Sequence, residues 1–524
     1  MKSDSRCNSA IPGKPREFAF RLLAILTLAY GLLLSSPACA NGWEHQAVPA
    51  ASLLKALESD DPAYRARAAL SLGIKKHRDA LGPLRRLIES GEPSAEVRAE
   101  VYRALGRIAD PAAVDLLAWA LQKDENPAAR QQAAWALGAL ADEAALTTIL
   151  RALDKERDPG VRSALAGALG GIGDPRAEVA LLKLLEVADP GLRNQTIRAM
   201  GRMGSEKMVA PLLAALAGEE DPAGQVEIVN ALAMIGDPAS RLPLESLLER
   251  SGSDLVRTRA VLALGAIRDG SSIPALVDLL DLGTPEQKYL ALDALIQMGD
   301  AGTAPVVAGF YGDVSSQLEA LGRGADQELP DSLLAGLRLQ RAALRALLEL
   351  DPAAGVEVFL HAARSRSYPH DSATGLRANQ LVYESRRLAI SGLGYTASER
   401  AFVMLVSPPV WDDPDHRIRA VATRAAAVSG HVEAYHRVAE RLADDAPEVR
   451  WTAASALGRL GNGTAAEPLR KLLADPHSEV RRQAVLSLAY LDARPARQDI
   501  ERLASEDASY RVRDAASQAL DLLN

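Results

Sequence analysis

Cysteine and aromatic residues are scarce in this chain of 524 residues. Aromatic side chains make up 4% of the sequence, and the two cysteines are Cys7 and Cys39. A core with few rings depends on Ala, Leu and Val, which suits stacked helix pairs better than one large globular core. Both cysteines lie within the first 40 residues, so the rest of the chain has no thiol for a disulfide or for nucleophilic catalysis.

Familiar catalytic motifs are also absent from the sequence. It contains no G-x-S-x-G elbow, no GK[ST] phosphate loop and no HExxH zinc motif. The glycines at Gly170, Gly171 and Gly173 follow no strand pattern, and glycine at the end of a helix needs no ligand. The sequence therefore predicts no catalytic residue, no cofactor-binding residue and no metal ligand, which disfavours an enzyme.

The chain also has no excess of positive charge. The formal net charge is −8, and residues 1–40 contain five basic and only two acidic residues, so the remainder is more acidic still. Nucleic-acid binding depends on Lys and Arg displacing counterions from phosphates. We therefore expect no nucleic-acid partner.

The stretch from Asp158 to Val187 contains one complete helix-turn-helix unit. Asp158 suits an N-cap, and Pro159 suits the first helical position because it has no amide hydrogen to leave unpaired. Apolar residues then recur at three- and four-residue steps until the glycines end the helix. Asp174 and Pro175 start a second helix that is rich in leucine.

This unit repeats along the chain. An anchor residue, arginine or a near equivalent, recurs mostly at steps of 31 to 33 residues, and the residue seven positions later is leucine in twelve of fourteen units, usually after a small residue. Such self-similarity predicts an all-α, right-handed α-solenoid of about fourteen stacked repeats. The anchors are Arg65, Arg98, Arg130, Arg162, Arg193, Gln225, Arg257, Lys288, Arg341, Arg386, Arg419, Arg450, Arg481 and Arg513.

The pattern DPxVR…ALGxIGDPxAxxxLxxLL at Asp158 to Leu185, and its looser form at Asp475 to Leu503, resembles the HEAT-like repeats first associated with phycobilisome lyases. The resemblance implies the fold over nearly the whole chain after the leader, and leaves function open. An enzymatic alternative is a bilin-lyase-like subunit or a deoxyhypusine-hydroxylase-like oxidoreductase. The hydroxylase branch binds two irons through His-Glu dipeptides, and this sequence has none, so those ligands cannot be transferred.

The first 40 residues have the pattern of an export signal. Lys14, Arg16 and Arg21 precede an uncharged apolar run, and the small triplet ending at Ala40 fits a cleavage site. We expect export to a bacterial periplasm after cleavage behind Ala40. The alternatives are a lipoprotein anchored through Cys39 and a protein that retains its leader. Only in these two cases do we expect contact with the membrane.

The remaining chain is predicted to have four parts. A lead-in and cap at 41–57 precedes a regular block at 58–298. Anchors 53 and 45 residues apart indicate insertions at 299–398, with a short helix and polar loop at 312–330 and an exposed excursion at 364–375. A second regular block with a terminal cap follows at 399–524.

Two clusters have metal-ligand residue types. Glu433, His436 and Glu440 share one helical face, but i, i+4 pairing such as His436 with Glu440 explains that spacing. The acidic group at 412–416 precedes a helix, so capping accounts for it.

The anchor arginines form a regular ladder. They could bind an acidic partner, since guanidinium forks match carboxylates. We favour pairing with a capping aspartate, such as Asp158 or Asp189, of their own or a neighbouring repeat.

Four residues are candidate partner contacts. Trp451 follows its anchor on the polar side and Trp411 lies in a predicted loop, while Tyr368 and His370 belong to the excursion. Trp135 by contrast falls near core positions. We expect a non-catalytic scaffold or adaptor that holds a protein or peptide on a concave face lined by second helices.

Overall fold

The computed structural model describes residues 48–322, 330–365 and 373–523, and every regular element in those ranges is helical. The chain divides into two units, the first ending at Asp269 and the second beginning at Gly270. Within the described ranges, no helix combines the length and hydropathy that crossing a membrane requires. The prediction of an all-α solenoid is confirmed.

The first unit opens with helix α1, Ala50–Ala56, and continues as alternating first and second helices. The first helices are α2 Pro62–Ile74, α4 Ala95–Ile108, α6 Pro127–Leu140, α8 Pro159–Ile172, α10 Pro190–Met203, α12 Pro222–Ile235 and α14 Asp254–Ile267. The second helices are α3 Leu81–Glu89, α5 Val114–Lys123, α7 Leu146–Lys155, α9 Glu178–Leu185, α11 Val209–Ala217 and α13 Arg241–Arg250.

The second unit follows the same alternation. It contains α15 Ile273–Leu282, α16 Pro285–Met298, α17 Ala304–Gly322, α18 Asp331–Leu350, α19 Val356–Ala363, α20 Ala373–Tyr395, α21 Glu399–Leu405, α22 Pro408–Trp411, α23 His416–Val428, α24 Ala434–Glu440, α25 Pro447–Leu460, α26 Ala466–Lys471, α27 Ser478–Tyr490, α28 Arg497–Glu506 and α29 Tyr510–Leu522. In the described chain, each of the fourteen anchors lies on a first helix, as the repeat predicts.

Local stop and start signals set the helix ends. The Asp158 carboxylate accepts a hydrogen bond from the Val161 amide at 2.9 Å, and Pro159 opens α8. Gly173 ends that helix with φ +69°, a left-handed conformation that costs glycine little. Asp174 then caps a short 3₁₀ turn before α9 begins, so the predicted order of signals is confirmed.

The leucine and small-residue positions pack as the repeat predicts. Ten of the twelve leucines seven residues after an anchor have no exposed surface, and Leu348 and Leu520 are half-buried. A Cβ added to Gly138 would lie only 2.6 Å from the Cα of Ala168 on the next first helix. Backbones at this distance leave no space for a side chain, which is why each small residue stands beside a leucine.

First helices form the tighter row of the first unit. They pack directly against the first helices of neighbouring repeats, whereas second helices pack mainly on the first helix of the following repeat and little on one another. A curved row is tightest on its inside, so first helices lie on the concave side of this unit. The prediction that second helices line that side is wrong here.

The region of irregular spacing differs from its prediction in one place. Residues 304–322 form the single helix α17, so Gly312 lies inside a helix and does not begin a new one. The polar segment 323–329 lies outside the described residues. Most of the 364–375 excursion, residues 366–372, lies outside them too, and α20 starts at Ala373.

Candidate binding surfaces

The anchor arginines hold consecutive repeats together. Arg98 donates from Nε and Nη2 to the two carboxylate oxygens of Asp124 at 2.7 and 2.8 Å, and from Nη1 to the backbone carbonyls of Glu92 and Pro93. Asp124 also accepts the backbone amide of Asn126, which caps the next first helix. One guanidinium therefore ties the entry loop of its own repeat to the entry loop of the next.

This arrangement recurs in both units. The acidic partner lies 25 to 27 residues after the arginine and two residues before the next N-terminal cap. The pairs are Arg65 with Glu92, Arg98 with Asp124, Arg130 with Glu156, Arg193 with Glu219, Arg386 with Asp413, Arg419 with Asp444, Arg450 with Asp475, and Arg481 with Asp507.

Pairing with a neighbouring repeat is thus confirmed, but the named partners were wrong. Asp158 and Asp189 use their carboxylates to cap helices through the amides of Val161 and Leu192. The arginine binds the acid two residues earlier, as Arg130 binds Glu156. Burial acts to raise the pKa of that carboxyl, but the hydrogen bonds from Arg130 and the backbone outweigh burial, and the pKa of Glu156 is lowered.

Trp411 is not an exposed contact. Its side chain is 3% exposed, with the Arg441 guanidinium 4.5 Å from the ring centroid. Arg441 also donates to the Trp411 carbonyl and to Asp412. The expectation of exposure is wrong because the residue belongs to the short helix α22, which the arginine covers.

The other three predicted contacts have different outcomes. Trp451 is half-buried on α25, next to the anchor Arg450. Tyr368 and His370 lie outside the described residues. The role of all three as partner contacts stays a prediction.

The two clusters with metal-ligand residue types have structural partners. Glu440 pairs with Arg437 at 2.9 Å, so the predicted pairing with His436 is wrong. Asp415 caps α23 through the Arg417 amide, as predicted. In the described ranges, no three His, Cys, Asp or Glu side chains are grouped so as to hold a metal ion.

A groove of about 740 Å³ crosses four first helices of the first unit. We call it the basic groove. One wall carries Arg103 and Arg107 of α4, Trp135 of α6 is 43% exposed beside them, and α8 contributes Ser163 and Ala164. Gln131 and Gln132 of α6 and Gln195 of α10 complete the lining. The expectation that Trp135 sits near the core is therefore wrong.

The sequence contained a signal for this groove that was missed. Its arginines and its tryptophan come from positions five and nine residues after the anchors, where Arg103 and Arg107 follow Arg98 and Trp135 follows Arg130. Its other side chains come from positions one and two. Those positions lie on the solvent-facing side of each first helix, away from the buried leucine seven residues after the anchor. Following them from repeat to repeat would have shown the cluster.

A larger groove of about 870 Å³ lies in the second unit, between α17, α18, α19, α20 and α21. Its second helices α17, α19 and α21 contribute most of the lining. Buried apolar side chains form its floor, and charged ones stand at its rim. The floor contains Leu318, Leu337, Leu360, Val382 and Met404, and the rim contains Glu319, Glu357, Arg364, Glu399 and Arg400.

Three hydroxyl groups at this larger groove have defined hydrogen-bond partners. Burial raises the pKa of Tyr311 to about 12, so it stays a neutral phenol, with its oxygen 3.1 Å from Nδ1 of His361. The hydroxyls of Ser315 and Ser407 donate to the backbone carbonyls of Tyr311 and Met404. Neither serine is paired with a base, which nucleophilic catalysis requires.

Four segments of the chain match a known repeat family. Residues 50–122, 114–190, 178–265 and 435–521 match the family described as HEAT repeats. The chain belongs to this HEAT-repeat family. Residues 256–281 also match the PBS lyase HEAT-like repeat.

Relatives of this HEAT-repeat chain are similar over limited ranges. The bilin biosynthesis protein PecE of Mastigocladus laminosus is 45% identical over 58 residues, which is 11% of this chain and 22% of PecE. The chain therefore matches about a fifth of that protein's length.

Solved structures resemble the fold. Kap95p, from a structure describing how its binding changes the switch loops of RanGDP, aligns with a TM-score of 0.50 at 14% identity, covering 96% of this chain and 81% of that one. A structure of yeast importin-beta (Kap95p) gives a TM-score of 0.47 at 13% identity, covering 97% and 79%. At 14% identity, the similarity to Kap95p supports the solenoid fold alone.

The iron centre of the hydroxylase branch does not fit this HEAT-repeat chain. No His is followed by Glu in the sequence, and the described side chains include no group of three metal-ligand residues. We therefore derive no chemistry through iron.

Proposed function

We propose that this HEAT-repeat protein is a non-catalytic scaffold that holds a protein partner along the first helices of its first unit. The observation that carries the proposal is Trp135, 43% exposed in a polar groove that spans four consecutive first helices. Tryptophan and arginine are enriched among residues that dominate protein interfaces. Kap95p, whose fold is similar, is a protein that binds RanGDP.

The proposal is tested by affinity capture with the chain from Asn41 onward as bait. Trp135→Ala should lose a stoichiometric partner that the unsubstituted bait recovers. Trp119→Ala is the matched control, because Trp119 is 51% exposed but lies on the second helix α5. Equal recovery by both variants, or no partner for a bait that melts cooperatively, would contradict this placement.

The enzymatic alternative has its own test. Elemental analysis of the purified protein should find no stoichiometric iron. A tightly bound iron with turnover would replace the scaffold proposal with a hydroxylase-like one.

We also propose that the scaffold works in the bacterial cell envelope after cleavage behind Ala40. Support comes from the basic, apolar and small-residue segments of the leader, which lies outside the described residues. N-terminal sequencing of the mature protein should begin at Asn41. Labelling by palmitate that is lost in Cys39→Ala would favour the lipoprotein instead.

A further inference from the structure

The basic groove carries positive charge that the protein itself does not neutralise. Arg103 binds Glu100 at 3.0 Å and Gln132 at 3.1 Å, and on α10 Arg198 binds Glu227. Two further arginines of this surface, Arg107 and Arg202, have no carboxylate within ion-pair distance among the described residues. This surface therefore has two guanidinium groups that take part in no ion pair within the described structure, although the whole chain is acidic.

Both arginines have spare hydrogen-bond donors. Nη1 of Arg107 is buried and has no partner in the described structure. Arg202 is partly exposed, and its Nη2 donates to the Gly167 carbonyl at 3.2 Å. A buried donor without an acceptor is costly, so a ligand that supplies an oxygen to Arg107 would recover that cost.

The surroundings of the two arginines also affect their pKa values. Desolvation lowers the pKa of Arg107, the charge of Arg103 lowers it further, and the carboxylate of Glu100 acts in the opposite direction. Desolvation likewise lowers the pKa of Arg202, with a contribution from Arg198. Each of these two arginines therefore lies beside another positive charge, which favours the binding of an anion.

Helix α8 carries small residues where it borders the groove. Ala164 and Gly167 occupy the positions at which α6 has Gln132 and Trp135. A Cβ on Gly167 would lie 2.8 Å from Nε2 of Gln195 and 3.3 Å from Nη2 of Arg202. The small residues of α8 therefore let the side chains of Gln195 and Arg202 lie close against its backbone, beside the groove.

We propose that the basic groove, together with Arg202 beside it, binds an extended acidic segment of the partner protein, with carboxylates at Arg107 and Arg202 and an apolar side chain against Trp135. The inference rests on the proposed scaffold function and names the chemistry of its partner. Guanidinium forks match carboxylates in geometry, and an exposed indole offers apolar area between them. A nucleic acid is disfavoured because its binding depends on many contacts between basic side chains and phosphates, whereas this surface offers two unpaired guanidinium groups.

The test uses fluorescence anisotropy with the chain from Asn41 onward and a labelled peptide of alternating Glu and Leu. Binding should weaken as salt rises from about 50 to about 200 mM, because charge pairs at a rim are screened. The double variant Arg107→Gln/Arg202→Gln should bind at least about tenfold more weakly. The control Arg151→Gln/Arg157→Gln removes the same charge at exposed positions of the first unit outside the groove and should bind normally.

Further probes separate the possible outcomes. A peptide with Gln in place of Glu should not bind, and a labelled oligothymidine should bind more weakly than the acidic peptide. Absence of acidic-peptide binding, equal effects of the two double variants, or tighter binding of the oligonucleotide would overturn the proposal. If the groove variant still captured a stoichiometric partner in the affinity experiment, the scaffold function would stand and only the acidic-segment inference would fail.

Discussion

Arg162 and Val187 occupy the two positions at which eight other repeats place an arginine and a carboxylate. Val187 lies 25 residues after Arg162 and two residues before the cap Asp189, as Asp444 and Asp475 do in their repeats. Nε of Arg162 is consequently buried without a hydrogen-bond partner in the described structure. The contact between these two repeats thus lacks the polar connection found on either side of it.

Restoring that connection should stabilise the first unit. Val187→Asp places an acceptor within reach of Arg162 and of the Asp189 amide, and we expect a gain of about 1 kcal/mol in unfolding free energy. Differential scanning calorimetry would measure it as a rise of a few degrees in melting temperature. Val187→Asn, similar in shape but uncharged, should gain less. If Val187→Asp gained equally in an Arg162→Gln background, the pair would not be the cause.

In one repeat of the chain, both the arginine and the acid are replaced by neutral residues. Where the anchor is Gln225, the position of the acid is Ser251, so a neutral side chain stands at each end. Gln225 still donates to the Glu219 carbonyl at 2.7 Å, as the arginines do to their entry loops. In this repeat the arginine and the acid are therefore replaced together, which a solvent-facing arginine ladder would not require.

Breaking an existing arginine–carboxylate pair should lower the free energy of unfolding by more than adding the missing pair would raise it. Asp124→Ala leaves the Arg98 guanidinium and the Asn126 amide without their acceptor, and Tyr102 loses its hydroxyl partner at 3.2 Å. The expected loss is about 3 kcal/mol, as for a buried pair with one member removed. Chemical unfolding would measure it.

An exposed pair is the control for that loss. Glu479 lies 3.5 Å from Arg511, with both side chains more than half exposed. Glu479→Ala should change stability by no more than about 0.5 kcal/mol. A similar cost for both substitutions would show that the repeated pairs have no special structural role.

The sequence alone was sufficient to predict the repeat, but it was not sufficient to predict which side chains connect consecutive repeats. Periodicity located the first helices, the buried leucines and the small residue at each close approach, because those features depend on spacing along one helix. The acidic partner of each arginine escaped prediction because Glu156 and Asp158 are both plausible acceptors. Only the loop conformation, which gives Asp158 to the helix cap, decides between them.

The binding surface was also hard to predict from single residues. Trp411 lies in a segment that looked like a loop, yet it forms a short helix covered by Arg441. Trp135 shares a helix with core residues but points to the opposite side, where three neighbouring helices complete the groove. Exposure here depends on which repeats stand beside each other, and no single repeat contains that information.

Acid should weaken the repeat contacts in a defined direction. Burial acts to raise the pKa of Asp475, but its hydrogen bonds to Arg450 and to the His477 amide lower the net pKa. The pKa of Asp444 is lowered to about 2 against the same opposing burial, chiefly by Arg419. A carboxyl with a lowered folded-state pKa contributes stability above its unfolded pKa, near 4, and loses it as pH falls through the folded value.

The melting temperature should therefore stay nearly constant down to about pH 4 and fall steeply between about pH 4 and about pH 2. Circular dichroism melts across that range would record the change. Asp475→Asn removes one of the titrating groups, so its melting temperature should start lower and depend less on pH. An identical slope for variant and parent would mean that this carboxylate does not drive acid unfolding.

The close approach of first helices predicts opposite effects for two glycine substitutions. Alanine favours helix over glycine by about 1 kcal/mol, so Gly309→Ala in α17, where no atom lies within 4 Å of the new Cβ, should stabilise the protein by up to that amount. Gly138→Ala gains the same propensity but places its Cβ 2.6 Å from the Cα of Ala168, a backbone atom that cannot rotate away. Moving two packed helices apart costs about 1 to 3 kcal/mol or more, so the net effect should be destabilising. Calorimetry of the two variants would decide the matter, because a stabilising Gly138→Ala would mean that the helices can separate freely and that the glycine does not set their spacing.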